Sequence, residues 1–149
     1  VPVNPDLVGR DFPPTTPYLV GREKVREFAR ATFATAPQHV DPEAARALGY
    51  ADVVAPPTFA MVVQDLTLQQ LLALEDSGIE LHRLVHAEQR FTYTRPIVAG
   101  DELTAQLAIT NLRTLGGNTM VTSEATITDA DGAHVVTATS VLLVGGGAE

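Results

Sequence analysis

Thr58-Phe-Ala-Met-Val-Val-Gln-Asp-Leu-Thr-Leu-Gln-Gln-Leu-Leu-Ala-Leu-Glu75 is the most apolar helix-length run in the chain. Phe59, Met61, Val62, Val63, Leu66, Leu68, Leu71 and Leu72 spread over most of a helical wheel, which predicts a helix buried on nearly all sides. Such a helix needs a wrapping. After Asp76-Ser77-Gly78 the apolar period changes to alternation. Val85, Ala87, Phe91 and Tyr93 mark one strand face, and Leu103, Ala105, Leu107 and Ile109 the next. Val121, Ser123, Ala125 and Ile127 mark a third, and Val136, Ala138, Ser140, Leu142 and Val144 a fourth. The connections, Arg95 to Gly100, Gly116-Gly117-Asn118 and Asp129 to Gly132, are short and rich in turn formers, so antiparallel pairing in chain order, a meander, is expected. Helices first and strands afterwards indicate the α+β class: a long central helix wrapped by a curled antiparallel sheet, not a doubly wound sheet.

Upstream of the decisive run, residues 1–17 carry prolines, Pro2, Pro5, Pro13 and Pro14 among them, and read as an extended surface arm ending in a short strand, Tyr18 to Val20. Between Gly21 and Phe33, Val25, Phe28, Ala29 and Phe33 recur at helical spacing among charged residues. Asp41-Pro42-Glu43 reads as a cap, a first-turn proline and a first-turn acid for a short helix ending at Gly49. Downstream, Gly145 to Glu149 reads as a flexible tail. The whole of 1–149 is expected to form one domain.

Composition removes several classes of function. Without cysteine there is no disulfide framework, thiolate metal site or thiol nucleophile. A net charge of -8 repels a phosphate backbone, so nucleic acid is not an expected partner. No run approaches membrane-spanning length and the first residues lack a leader pattern, so no membrane partner and a cytoplasmic location are expected. His82, His86 and His134 lack ligand spacing and read as surface or strand residues, so neither a metal nor a cofactor is expected.

Two motifs carry a family resemblance. Pro37-Gln38-His39-Val40-Asp41-Pro42-Glu43-Ala44-Ala45, continued by Leu48-Gly49-Tyr50 and Val54-Ala55-Pro56-Pro57-Thr58-Phe59, resembles the hydratase motif region of the MaoC-like family. Arg95-Pro96-Ile97-Val98-Ala99-Gly100-Asp101-Glu102-Leu103 resembles that family's strand-turn-strand signature. The likeness runs from about Tyr18 to Val144 and is nearest to the FAS1-like, N-terminal-type dehydratases, which include subunits that pair with a second MaoC-like chain. It implies the hotdog fold and action on acyl thioesters of coenzyme A or acyl carrier protein. It also implies a homodimer, or a heterodimer with another MaoC-like subunit.

Hydrating an enoyl thioester, or dehydrating the hydroxyacyl form, takes an acid/base pair on water and a donor for the developing enolate oxygen. Catalytic members resemble a pattern with an aspartate five residues before a histidine and an asparagine between them. Here those places hold Ala34, Ala36 and His39, so the histidine is the candidate catalytic residue and its partners are gone. A glycine of the family's second motif, whose amide is the natural oxyanion donor, is replaced by Pro57, which has no N–H. The resulting expectation is a subunit of a (3R)-hydroxyacyl-thioester dehydratase or enoyl hydratase. It binds the acyl group through Pro57, Thr58, Phe59 and Val62, while a partner chain supplies the complete Asp and His. Two alternatives accompany it: a hotdog thioesterase using Asp65 or Glu88, and a non-catalytic acyl-binding module.

Overall fold

The computed structural model describes residues 2–146. Its strands and helices follow in the order β1 (Tyr18–Leu19), α1 (Arg22–Ala31), α2 (Pro42–Ala47), α3 (Ala60–Leu72), β2 (Leu84–Tyr93), β3 (Glu102–Leu115), β4 (Asn118–Thr128) and β5 (His134–Val144). The strands form one antiparallel sheet, ordered β1-β3-β4-β5-β2, and α3 packs on β3, β4 and β5. A curled antiparallel sheet around a central helix is the hotdog arrangement, as the resemblance implied.

The strand order corrects the meander. β2 does not turn back onto β3; it lies at the far edge and pairs with β5, from Leu84↔Val144 to Tyr93↔Val136. The backbone groups between β2 and β3 show why. Instead of closing a hairpin, the Ile97 carbonyl accepts from Ala55 N–H (2.8 Å), and Ala99 N–H donates to Val53 (3.0 Å). The connection is thereby committed to the loop before α3 and carries the chain across the end of the sheet. A second correction lies inside β2, where the register shifts between His86 and Glu88. One extra residue swaps the faces, so Val85, expected inside with Phe91 and Tyr93, is 60% exposed.

The central helix also departs from its apolar reading. Its fully buried stripe is Ala60, Val63, Gln64, Thr67 and Leu71, whereas Met61, Val62, Leu66, Leu68 and Leu72 are half-buried. Burial is one-sided, and two polar residues occupy the buried side. At their level the sheet presents Gln89, Ser140 and Ser123 side by side on β2, β5 and β4. Gln64, Ser140 and Gln89 close a hydrogen-bonded ring. Gln64 Nε2 donates to Ser140 Oγ, Ser140 Oγ donates to Gln89 Oε1 (2.5 Å), and Gln89 Nε2 donates to Gln64 Oε1 (2.8 Å). An apolar cluster around Phe59, Val63 and Ile127 and a second around Leu71, Ile109 and Leu142 make up the remaining core.

The two sheet edges are treated differently. Along β3, the segment before β1 covers the edge: Leu7 and Phe12 enter the core, Thr15 exchanges hydrogen bonds with Ala105 (2.9 Å each), and Gln106 Nε2 donates to the Phe12 carbonyl. Gly78 anchors its start. With φ +70° it brings the chain against Pro2 so closely that a Cβ would stand 2.1 Å from the Pro2 carbonyl oxygen. At the other edge no strand among the described residues covers β2. Of the expected tail, Gly145 exchanges hydrogen bonds with Arg83 and Gly146 N–H donates to Asn118 Oδ1, while 147–149 lie outside the described residues.

Candidate active site

His39 sits at the end of a single 3-10 turn, Pro37–His39, between α1 and α2. Pro37 starts the turn, and its carbonyl accepts from both Val40 (3.1 Å) and Asp41 (2.9 Å). Asp41 then caps α2 by accepting from Glu43 N–H (3.0 Å). Arg26 of α1 donates through Nε to the Val40 carbonyl (2.9 Å), tying the turn to the first helix. On the other side Val54 N–H donates to Gln38 (2.9 Å), and the His39 ring returns the contact, Nδ1 to the Val54 carbonyl at 2.6 Å. A carbonyl only accepts, so Nδ1 carries a hydrogen and donates it.

The loop behind His39 is itself braced. Asp52 takes a two-pronged contact from Arg22 (2.8–3.1 Å) and accepts from Val53 N–H. The Arg22 hydrogen bond holds the Asp52 carboxyl below the usual carboxylate range. Across the loop, Arg95 bridges Asp101 and Asp129, and Asp101 accepts from Val98 N–H, fixing the turn of the second motif. Segments 53–55 and 97–99 thereby form a rigid back wall.

A cleft of ≈ 180 Å³ opens in front of that wall, lined by His39, Val54, Ala55, Pro57, Tyr93 and Pro96. Among these, only His39 and Tyr93 carry polar side chains. The Tyr93 hydroxyl donates to the Pro57 carbonyl, and burial pushes its pKa up to about 12. Ala34 and Ala36 leave the histidine without a carboxylate or amide from those two positions.

Of the residues read from the sequence, His39 and Pro57 meet in this cleft. Thr58 is exposed on the 3-10 turn leading into α3, and Phe59 is fully buried with its ring edge-on to Phe28 (centroids 5.4 Å apart). Val62 packs against the same core cluster, so Thr58, Phe59 and Val62 are not brought to the cleft lining. Asp65 is exposed, accepts from Gln69 (2.7 Å) and, with Met61, Gln64 and His86 among others, lines a smaller cavity of ≈ 30 Å³ between α3 and the sheet. Glu88 is exposed on the edge strand. Among the described residues no three His, Cys, Asp or Glu side chains converge as metal ligands, and no helix is long and apolar enough to cross a membrane. Alternation marks Tyr93 only as an apolar strand residue; nothing local to it foretells that its hydroxyl reaches Pro57.

Known proteins place this geometry. The model of the FAS1-like, dehydratase domain region matches residues 6–138. A UPF0336 protein of Clavibacter michiganensis subsp. michiganensis is 65% identical over 146 residues, 98% of each chain. Among solved structures, the C-terminally truncated HadBC (3R-hydroxyacyl-ACP dehydratase) complex of Mycobacterium tuberculosis includes a chain 31% identical to this one. That match has a TM-score of 0.77 over 89% of this chain and 92% of that one. A MaoC-like dehydratase is 38% identical, with a TM-score of 0.79, and covers 93% of this chain but 42% of that one.

Proposed function

This chain belongs to the family of the FAS1-like dehydratase domain region, and from that premise we propose that it is the acyl-binding subunit of a (3R)-hydroxyacyl-thioester dehydratase or enoyl-thioester hydratase. The observation that carries the proposal is the His39 cleft: apolar, with an imidazole at its wall but neither Asp nor Asn at 34 and 36. His39 can orient a water or a thioester, while proton exchange at both reacting carbons needs a second acid/base group. A second MaoC-like chain supplies the complete pair.

Two features support a partner. The β2 edge, unpaired among the described residues, offers backbone groups for strand pairing, and the half-buried Met61, Val62 and Leu66 leave part of the apolar surface of α3 open. The similarity to a chain of the two-subunit HadBC complex points the same way. The ligand is an acyl thioester of coenzyme A or acyl carrier protein, met in the cytoplasm.

Co-expression with a MaoC-like chain that retains the Asp and His, followed by hydration of crotonyl thioesters, tests the proposal. A stable complex active at a rate neither chain reaches alone is expected. Failure to form a complex, or equal activity of the partner alone, overturns it.

A further inference from the structure

Pro57 removes a backbone donor from the place where an acyl carbonyl would be held, yet the cleft retains a donor of another kind. Tyr93 rises from the last residue of β2, and its hydroxyl reaches the carbonyl of that same proline. The phenol is thus directed at an acceptor that can be exchanged. Pro57 is exposed, so water can satisfy its carbonyl when the O–H turns away, and turning takes only rotation about the bond to the ring.

Resting on the acyl-binding reading above, we infer that the Tyr93 hydroxyl replaces the lost amide, donating a hydrogen bond to the thioester carbonyl of an acyl group bound beside His39. The alternative is a staple between β2 and the approach to α3, which would leave the ligand unaffected. The location argues for the wider role: Tyr93 and Pro57, whose carbonyl the hydroxyl meets, both line an apolar cleft whose other polar side chain is His39. A carbonyl taken from water into such a cleft must find a donor there, and Tyr93 is the side chain whose proton stays on throughout the neutral range.

Infrared difference spectra of butyryl-coenzyme A, carbon-13 labelled at the thioester carbonyl and bound to the full chain, read this directly. Bound to the wild type, the carbonyl stretch moves to lower frequency. In Tyr93→Phe the shift disappears and affinity falls about tenfold, as for one lost hydrogen bond. Adding Pro57→Gly to that variant restores an amide and brings part of the shift back. Should Tyr93→Phe fail to fold, Pro57→Gly alone serves, since a second donor should enlarge the wild-type shift. An unshifted carbonyl in the wild type, a shift retained in Tyr93→Phe, or no response to Pro57→Gly overturns the inference and leaves acyl binding standing. Absence of any butyryl-coenzyme A binding, alone or with the partner chain, removes both.

Discussion

Breaking the buried ring of Gln64, Ser140 and Gln89 should cost less in combination than the single changes sum to. Gln64 is 6% exposed and Ser140 2%, so neither can turn to water when its partner is removed. Gln64→Leu removes two of the three bonds at roughly 1 kcal/mol each, partly offset by added apolar contact. Ser140→Ala also removes two, and it strands the Gln64 amide in the core at roughly 1–3 kcal/mol. The double variant loses their shared bond only once and leaves no Gln64 amide to strand, while the half-buried Gln89 on the edge strand keeps access to water. The cycle should therefore show a coupling of about 1 kcal/mol or more, the double costing less than the sum. Urea unfolding of the four proteins measures it, and each kcal/mol should appear as roughly 2–4 °C in Tm for a chain of this size. Additivity within about 0.3 kcal/mol would refute a ring that acts as a unit and fixes the height of α3 against the edge strand.

Phe33 ends α1 at φ 58°, a left-handed conformation that disfavours side chains, and is 87% exposed. Phe33→Gly should raise stability by up to about 1 kcal/mol, and a clear loss in calorimetry would reveal packing that the isolated chain does not display. Gly78→Ala should cost about 2 kcal/mol or more, because the backbone is left-handed and the Pro2 carbonyl occupies the space; proteolysis should then release the N-terminal arm first. An unchanged Tm would contradict that packing. Alkaline titration should show one tyrosinate delayed to about 12 and missing in Tyr93→Phe. Because folding raises this pKa from 10.0, the stability gained from keeping the phenol neutral is full below 10.0 and is lost as pH rises toward about 12. A titration indistinguishable from the variant's would count against the buried hydroxyl.

What could be read from the sequence follows the range of the interactions. α1, α2 and the four long strands lie close to where spacing and capping put them, because alternation and caps are local signals. Strand order was not legible. It depends on whether residues 94–101 bond to each other or to the loop at 53–55, a choice made between segments forty residues apart. Val85 was misplaced because one inserted residue reverses the face of everything before it. The core face of α3 could not be seen either, since Gln64 and Thr67 hide polarity in a satisfied network while Leu66 stays half-open. At the site, His39 and Pro57 stood out by motif. Tyr93 joins them only through the folded path of β2, so a residue-by-residue reading gave no sign of its hydroxyl's role.

The division of labour between this chain and its partner is tested most directly by crotonyl-thioester hydration in the assembled complex carrying one change at a time. His39→Ala should leave kcat within about threefold of the parent, because a lone imidazole contributes orientation. Removing the aspartate of the partner's Asp and His pair should cut kcat by roughly a hundredfold or more. A collapse of kcat with His39→Ala while the partner's variant keeps its rate would contradict the proposal and make this chain the catalyst.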